Sequence, residues 1–520
     1  MPFNSKLQQA IELHSQKRLE QAEALYIQCL ENSEEQPIAL ENLSILKLEQ
    51  GDNEAAHRYA NQRLSKKPLS INAVNNIAMV CMRMGKLREA DHYFTQLLSQ
   101  YFDNPSMFQN AALVKFQLAM EGFPVAEDLM NLAQKGVDHF PESPALLHNL
   151  ALSHFMKGNV EEASALYGAC IRRSEEDALS YLRLYSGPGS KDEVIYENLV
   201  KLTNKGPLSD PLAQINLLFA RAHAEHARED YETAYTFYQQ ANIALAKARR
   251  SVVHQEKMMT LKLEEIKEQL DGFKLTPWDG PNPIFILGMP RSGSTLIEEI
   301  IARHEQVTPG GELPLLNEAL GALLAPLMTG EALLTEQVAE ILLESRNYYR
   351  KELKTRQISS PWYTDKSPGN FRFAGILPIL FPEAKIIHCQ RNPVATLLSC
   401  FRSYFFEGHG WSSTPENLVD YYHYHQRTMA TWDSWHPGKI EQVHYEQVVG
   451  NPEAETQRLY AALELAWKPE YLNFQAHSER PVMTQSLDQV RQPIHTHSLD
   501  QAQHYPAFTE AVQTLLNTPK

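Results

Sequence analysis

A repeat of 34 residues runs through the first half of the chain and restricts the folds open to it. The segment KRLEQAEALY begins at Lys17, GDNEAAHRYA at Gly51 and GKLREADHYF at Gly85, two successive steps of 34 residues. GNVEEASALY at Gly158 and EDYETAYTFY at Glu229 continue the series, with an insertion near MEGFPVAED and a degenerate stretch later. Each copy joins a small or polar turn to an alanine-containing amphipathic helix, which predicts stacked helix pairs.

Five alanines recur where neighbouring helices of such a stack must approach closely: Ala22, Ala56, Ala90, Ala163 and Ala234. Over about residues 5–250 the chain resembles the tetratricopeptide family. The resemblance implies an all-α superhelix with a concave face, because no single helix pair buries its own apolar side. Two roles of that face stay open: capture of a protein or peptide acceptor, or a scaffold and homodimer surface.

Composition and charge restrict the partners of the chain. Its 520 residues allow two or three domains, and 43% hydrophobic with 21% charged residues is ordinary for a folded, soluble protein. The formal net charge of −15 excludes a general nucleic-acid binder but leaves room for a local basic pocket.

The cysteines and the start of the sequence indicate a reducing compartment. The five cysteines are few, widely spaced and set in apolar surroundings, so we expect reduced core residues and no metal site. The N-terminus is amphipathic and lacks a signal-peptide core. No run reaches the roughly 18 apolar residues of a spanning helix. We therefore expect a cytoplasmic protein without a membrane span.

The second half of the chain changes its pattern to strand, turn and helix. Residues 251–280 read as a charged helix and a Pro/Gly linker. After them PIFILG precedes TLIEEIIARH, AKIIHCQ precedes NPVATLLSCFRSYF, and KIEQVHYEQVV precedes EAETQRLYAAL. This alternation predicts an α/β domain over 281–515 with a central parallel sheet, covered on both faces and binding its ligand at the carboxyl ends of the strands.

The first of these units contains FILGMPRSGSTLIEEI, which has the outline of a nucleotide phosphate loop. Gly288, Gly293 and Thr295 are in place, but Ser294 stands where the lysine of that loop belongs. Successive backbone N–H groups at a helix start suit a phosphate or sulfate, and the fork of Arg291 matches a tetrahedral anion. Without the lysine, and with a second strand that ends in HCQR rather than in an aspartate, the loop is poorly equipped for ATP hydrolysis.

The segment GMPRSGSTLIEEIIARH resembles the phosphosulfate-binding loop of sulfotransferases, in particular of tyrosylprotein sulfotransferases and bacterial tetratricopeptide–sulfotransferase fusions. The resemblance implies a P-loop-like sulfotransferase domain that uses 3′-phosphoadenosine 5′-phosphosulfate as sulfuryl donor, without a metal. It also implies donor binding by the loop residues Pro290, Arg291, Ser292, Gly293, Ser294 and Thr295.

A second motif, CQRNPVATLLSCFRSYF, supports that resemblance. Arg391 ends a strand, Asn392 and Pro393 open a helix, and the apolar stripe of the helix leaves Ser399 on another face. In the family an arginine and a serine eight apart bind the 3′-phosphate of the donor, and Arg391 and Ser399 match them. Tyr445, in a strand and turn segment VHYEQVV, lies near the adenine by the same resemblance, although a role in the core is equally open.

Two further segments supply the chemistry of sulfuryl transfer. In VTPGGELPLL the resemblance makes Glu312 the base that takes the acceptor proton, and the paired glycines before it have no evident packing role. In WYTDKSPGNF it makes Lys366 the cation that stabilises the departing oxygen, with Arg291 assisting. The alternatives are a surface-loop carboxylate and an exposed lysine.

Near the end of the sequence, VRQPIHTHSLDQAQHY resembles the closing segment of the bacterial fusions. Arg491 and Ser498 match an arginine and a hydroxyl that fold over the donor there. A tryptophan usual after this segment is absent, which weakens the assignment of Ser498.

The function that these motifs indicate is transfer of a sulfuryl group to a hydroxyl or amine. A tyrosine of a protein held by the repeats, a glycan and a small molecule all remain open as acceptors. Two other hypotheses are a P-loop kinase and a nucleotide-binding adaptor without catalysis.

Overall fold

A computed structural model describes residues 5–68, 70–248, 252–271, 273, 275–405, 410–473 and 500–518. The chain divides into two compact units, Met1–Ala119 with Val125–Ser153, and Met120–Pro124 with His154–Lys520. Within the described ranges, none of the helices combines the length and the apolar character that crossing a membrane requires.

Before the first strand, the described residues form helices and the turns that join them. In order they are α1 (Ser5–Ser15), α2 (Leu19–Cys29), α3 (Gln36–Glu49), α4 (Asn53–Leu64), α5 (Ile71–Arg83), α6 (Leu87–Leu98), α7 (Pro105–Met120), α8 (Ala126–His139), α9 (Pro144–Lys157), α10 (Val160–Arg173), α11 (Ala178–Ser186), α12 (Glu193–Asn204), α13 (Pro211–Ala227), α14 (Tyr231–Ala248), α15 (Val253–Glu265) and α16 (Lys267–Leu270).

Consecutive helices of the first unit pack as pairs, α1 on α2, α3 on α4 and α5 on α6. Ala22, Ala56 and Ala90 are fully buried in this packing, as the repeat predicts. Gly51 and Gly85 follow α3 and α5 with φ of 80° and 70°, the left-handed conformation in which glycine ends a helix at little cost. The predicted helix pairs of tetratricopeptide type are confirmed.

Strands and helices alternate in the rest of the chain. They are β1 (Asn282–Gly288), α17 (Ser294–Ile301), β2 (Val307–Pro309), α18 (Leu315–Ala319), α19 (Gly321–Thr329), α20 (Thr335–Thr355), β3 (Trp362–Asp365), α21 (Leu377–Leu380), β4 (Lys385–Gln390), α22 (Pro393–Phe401), α23 (Pro415–Trp435), β5 (Ile440–His444), α24 (Tyr445–Gly450), α25 (Pro452–Ala462) and α26 (Pro506–Asn517). Short 3₁₀ turns cover Pro368–Phe373, Gly410–Ser413, Pro469–Leu472 and Gln501–His504.

The strands form a parallel sheet in the order β2-β3-β1-β4-β5. Alternate residues of β1 enter different cores: Phe285 and Leu287 pack with α22 and α23, whereas Ile284 and Ile286 pack with α17 and α25. The sheet is therefore covered on both faces, and its central strand is buried. The predicted α/β domain with a central parallel sheet is confirmed.

The core that contains α22 also includes repeat helices of the second unit. Tyr238 of α14 packs in the same cluster as Phe401. Asn242 donates a hydrogen bond from Nδ2 to the Phe401 carbonyl oxygen at 2.8 Å. The predicted domain boundary near residue 250 stays a prediction from the repeat spacing.

The structure corrects the strand assignment in two places. The pattern predicts β1, β4 and β5, but it misses β2 and β3, which are three and four residues long. Such short strands show no recognisable alternation of polar and apolar residues. Tyr445, expected in a strand and turn, is the first residue of α24 because β5 already ends at His444.

The cysteines lie in the core, as the sequence predicts. All five cysteines are free and buried: Cys29, Cys81, Cys170, Cys389 and Cys400.

Candidate active site

The predicted site residues lie where the five parallel strands end. The phosphate-like loop follows β1, Glu312 follows β2, Lys366 follows β3, Arg391 follows β4 and Tyr445 follows β5. Because the carboxyl ends of parallel strands share one edge of a sheet, residues far apart in sequence reach one crevice.

The loop after β1 has an unusual backbone. Gly288, Arg291 and Gly293 have φ of 148°, 68° and 98°. A Cβ on Gly288 would lie 2.5 Å from the Cys389 carbonyl oxygen, so only glycine fits there. The left-handed conformation of Arg291 costs about 1–2 kcal/mol for a residue with a side chain. The fold therefore holds this arginine in one particular orientation inside the loop.

The hydroxyl groups of the loop fit an anion. Ser292 is 2% exposed, and its Oγ has no hydrogen-bond partner among the described residues. Ser294 and Thr295, in the first turn of α17, are buried as well. A buried hydroxyl without a partner is costly, and an anion oxygen in the loop would accept its hydrogen.

The two motifs predicted to bind the donor are in direct contact. Arg291 donates from Nε to Ser399 Oγ at 3.0 Å, and Arg391 donates from Nη1 to the Arg291 carbonyl oxygen at 3.3 Å. The Cys400 thiol donates to the Pro290 carbonyl oxygen at 3.3 Å. The helix α22 is thus fixed against the loop, and the sequence-predicted partners Arg391 and Ser399 both touch Arg291.

Positive charge is concentrated at this contact. Burial, followed by the neighbouring guanidinium groups of Arg391 and Arg402, lowers the pKa of Arg291 to about 10. Like charges held together in a buried place repel each other. A multiply charged anion bound at this contact would relieve that repulsion.

Tyr445 packs on the same loop. The Arg391 Cζ atom lies 4.7 Å from the centre of the Tyr445 ring, within the range of a cation–π contact. A Cβ on Gly293 would lie 2.4 Å from Tyr445 Cδ2. The ring is half-buried between the loop and the guanidinium group, at the site rather than in the apolar core.

Glu312 and Lys366 form an ion pair. Lys366 Nζ donates to Glu312 Oε1 at 2.5 Å. The Lys366 side chain is 1% exposed, whereas 46% of the Glu312 side chain is exposed. Lys366 is therefore not an exposed surface lysine. Of the two groups, the carboxylate is the one exposed to solvent.

The glycines before Glu312 have a packing role, contrary to the expectation from sequence. A Cβ on Gly310 would lie 2.2 Å from the Thr364 carbonyl oxygen, and Gly311 has a φ of 71°. The Gly310 N–H donates to that oxygen at 3.1 Å and to Thr364 Oγ1 at 3.0 Å. The close approach to β3 alone requires glycine, so the pair is not in itself a sign of catalysis.

An aspartate ends a strand that the sequence pattern does not predict. The strand β4 lacks one, but β3, which pairs with β1, ends in Asp365. This carboxyl group is completely buried and accepts hydrogen bonds from Tyr349 Oη and, at 3.2 Å, from Asn370 Nδ2. Burial raises its pKa to about 7. Asp365 thus belongs to an internal polar network and is not presented to the ligand of the loop.

Two predicted donor-binding residues, Arg491 and Ser498, lie outside the described residues, and their assignment stays a prediction. Sequence reasoning missed Glu298, an acid in an otherwise apolar helix that contacts the turn before Glu312. An acid within the run LIEEII was the available signal.

Sequence reasoning also missed a role for the insertion between repeats. A Cβ on Gly122 would lie 2.7 Å from Leu313 Cδ2 and 3.1 Å from the Gly310 carbonyl oxygen. Arg356 donates from Nε to the Glu121 carbonyl oxygen at 2.7 Å. The insertion therefore packs beside the turn that carries Glu312.

The fold and the site define a class of protein, an α/β domain whose first parallel strand leads into an anion-binding loop. Residues 283–469 match the family model described as "Sulfotransferase family". This part of the chain is therefore similar to sulfotransferase-family domains, as the sequence motifs predict.

Individual relatives are similar over different parts of the chain. An uncharacterized protein of Aquifex aeolicus is 25% identical over 431 residues, 80% of this chain and 55% of that protein. A protein-tyrosine sulfotransferase of Drosophila melanogaster is 25% identical over 228 residues, 42% of this chain and 46% of that protein. The chain thus spans about half the length of these curated relatives. The solved sulfotransferase domain of the Synechococcus PCC 7002 olefin synthase is 22% identical, with a TM-score of 0.33, and covers 48% of this chain and all of that domain (100%).

Proposed function

We propose that this protein transfers a sulfuryl group from 3′-phosphoadenosine 5′-phosphosulfate to a hydroxyl or amine of an acceptor. The observation that carries the proposal is the convergence, at one edge of the sheet, of the anion-binding loop, the Arg391–Ser399 pair and the Glu312–Lys366 pair. The family model over 283–469 supports sulfuryl transfer as the type of reaction.

In this proposal the donor is held at both of its ends. The N–H groups of the loop from Pro290 to Thr295 and the Arg291 guanidinium group bind the phosphosulfate. Arg391 and Ser399 bind the 3′-phosphate, and Tyr445 lies against the adenine. Two observations support a polyanionic ligand. The Ser292 hydroxyl has no hydrogen-bond partner among the described residues, and the guanidinium groups of Arg391 and Arg402 lie close to that of Arg291.

The reaction is an in-line displacement at sulfur. Glu312 takes the proton of the acceptor hydroxyl as the bond from the acceptor oxygen to sulfur forms. The bond from sulfur to the bridging phosphate oxygen breaks, and adenosine 3′,5′-bisphosphate leaves. Lys366 and Arg291 stabilise the negative charge that develops on the departing oxygen. The ion pair with Lys366 fixes the position of the Glu312 side chain.

A protein tyrosine is the acceptor we propose. The Drosophila relative is named a protein-tyrosine sulfotransferase. Stacked helix pairs present an extended concave face, which suits the recruitment of a protein chain. Glu312, at the exposed side of the ion pair, is accessible to a side chain of such a partner.

The kinase hypothesis has less support. Ser294 stands in place of the lysine, and the strand-end Asp365 is buried with its own hydrogen-bond donors. The hypothesis of an adaptor without catalysis does not explain the ion pair of Glu312 and Lys366.

Donor binding is tested by calorimetric titration with adenosine 3′,5′-bisphosphate. We expect wild type to bind it and Arg391→Ala to lose at least about tenfold in affinity, because charge-assisted hydrogen bonds contribute about 1.5–3 kcal/mol each. Arg427→Ala, an exposed arginine of α23, is the matched control and should bind normally. Normal binding by Arg391→Ala would overturn the assignment. Donor labelled in its sulfate, added to a lysate with the enzyme, then tests whether label enters protein tyrosine.

A further inference from the structure

A buried carboxylate connects the helix of the donor loop to the turn before Glu312. Glu298 lies in α17 and is 3% exposed. Its Oε1 accepts a hydrogen bond from the Gly311 N–H at 2.9 Å and another from Thr364 Oγ1 at 2.6 Å. This one oxygen atom thus connects three segments: α17, which follows β1; the turn that follows β2; and the strand β3.

The turn of Gly310 and Gly311 is short, and hydrogen bonds fix both of its residues. The Lys366 N–H donates to the Gly311 carbonyl oxygen at 2.8 Å, and Thr364 accepts from the Gly310 N–H. The Gly311 N–H is directed at Glu298 alone in the described hydrogen bonds. Removing that carboxylate would leave the half-buried Gly311 N–H without this acceptor and would release the backbone group that immediately precedes Glu312.

Packing does not account for an acid at this position. Ile297, Ile300 and Ile301 of the same helix are buried and pack under the sheet. Burial of a carboxylate is unfavourable unless hydrogen bonds compensate for the lost water. Here the compensating hydrogen bonds come from Gly311, in the turn before Glu312, and from Thr364, in β3, the strand that precedes Lys366.

We infer that Glu298 is a positioning residue for Glu312, an inference that rests on the proposed sulfuryl transfer. It fastens the turn of Gly310 and Gly311 to the helix that begins at the donor loop, so the base keeps a fixed distance from the bound donor. A displacement of about 1 Å in such a group lowers turnover on the order of 100-fold.

Two variants separate hydrogen bonding from charge. Glu298→Ala removes the acceptor, whereas Glu298→Gln keeps a carbonyl oxygen that accepts from both Gly311 and Thr364. We expect Glu298→Ala to lower kcat on the order of 10–100-fold, with the affinity for adenosine 3′,5′-bisphosphate within about twofold of wild type. Glu298→Gln should restore most of kcat. Glu331→Gln, an exposed carboxylate, is the matched control and should behave as wild type.

A measurement independent of turnover accompanies the kinetics. Hydrogen exchange of the Gly311 amide should accelerate in Glu298→Ala, stay slow in Glu298→Gln, and be unchanged in the control. Wild-type kcat in Glu298→Ala, or unchanged exchange at Gly311, would overturn the inference.

The failure of the proposed function has a different signature. If wild type transfers no sulfuryl group from the labelled donor, the proposed reaction is wrong and the role of Glu298 in catalysis falls with it. If wild type is active and Glu298→Gln is as impaired as Glu298→Ala, the hydrogen bonds to the turn are not what matters, and this inference alone is wrong.

Discussion

Lys366 is the residue whose surroundings most restrict its role. Its ammonium group is almost fully buried and meets the half-exposed carboxylate of Glu312. A buried lysine is unfavourable unless it is paired, and one that also faces a bound anion stabilises charge more strongly than it would in water.

We therefore expect Lys366→Met to lower kcat by about 100–1000-fold, the usual loss when one donor to a developing oxyanion is removed. The affinity for adenosine 3′,5′-bisphosphate should change far less, because the leaving oxygen is only one of its contacts. Steady-state kinetics and calorimetry measure the two quantities. Lys439→Met, an exposed lysine, is the control, and a normal kcat in Lys366→Met would contradict the assignment.

Asp365 makes stability depend on pH. Burial raises its pKa from 3.8 to about 7. Between about pH 4 and pH 7 the folded chain holds a proton at Asp365 that the unfolded chain releases, so this group lowers the free energy of unfolding as pH rises, by at most about 1.4 kcal/mol per pH unit. Above pH 7 its contribution is constant.

Asp365→Asn should remove that slope. Urea denaturation from pH 4.5 to pH 7.5 should show wild type losing stability relative to the variant as pH rises, with no further divergence above pH 7. Asp433→Asn, an exposed aspartate, should run parallel to wild type. A constant difference between wild type and Asp365→Asn across this range would mean that Asp365 is already ionised at low pH.

At the scale of single residues, sequence motifs indicated most of the candidate site but not its supports. Arg291, Arg391 and Ser399 belong to short patterns with a chemical reason, and the structure brings them into contact. Glu298 and Asp365 act through buried hydrogen bonds between segments that are distant in sequence, and no local pattern encodes such a contact.

Among the elements, α22 sets the position of the second motif that we propose binds the donor. Asn392 precedes the helix, and its side chain accepts from the Ala395 N–H at 3.1 Å. Its own N–H donates to Glu446 Oε1 at 2.8 Å. This cap fixes the start of the helix directly after Arg391. It therefore both stabilises the fold and orients the Arg391 guanidinium group.

Asn392→Ala should cost about 1 kcal/mol of stability and also weaken binding of adenosine 3′,5′-bisphosphate. Asp52→Ala offers a matched control, since Asp52 caps α4 by accepting from the Ala55 N–H at 3.0 Å in the first unit. That variant should lose a similar amount of stability and keep normal binding. Equal effects of both variants on binding would show that general destabilisation, not the orientation of Arg391, explains any loss.

The elements also show where a sequence pattern stops being informative. β1, β4 and β5 are five to seven residues long, and the pattern predicts each of them. β2 and β3 contribute only three and four residues to the sheet. Pairing rather than local preference makes them strands, because β3 pairs with β1 and β2 pairs with β3. The segments of Glu312 and Lys366 therefore read as loops, although each follows a strand.

For the whole molecule, the open question is where the catalytic part begins. The repeat spacing places the boundary near residue 250. In the second compact unit, however, helices α13 and α14 share a core with α22 and α26. His226 Nδ1 also lies 2.8 Å from Tyr505 Oη, and burial lowers the pKa of that histidine, which favours the neutral ring in such a contact.

Two fragments distinguish these boundaries. A fragment of residues 154–520 keeps α13 and α14, so we expect a cooperative thermal transition and binding of adenosine 3′,5′-bisphosphate. A fragment of residues 281–520 would expose the apolar surface around Phe401 and leave Tyr505 without His226. Each large buried side chain contributes about 1.5–3 kcal/mol, and a domain is stable by only about 5–15 kcal/mol, so losing several of these contacts should abolish cooperative unfolding. Circular dichroism and calorimetry provide the measurements. A stable, ligand-binding 281–520 fragment would instead establish the boundary that the repeats suggest and make the shared core dispensable.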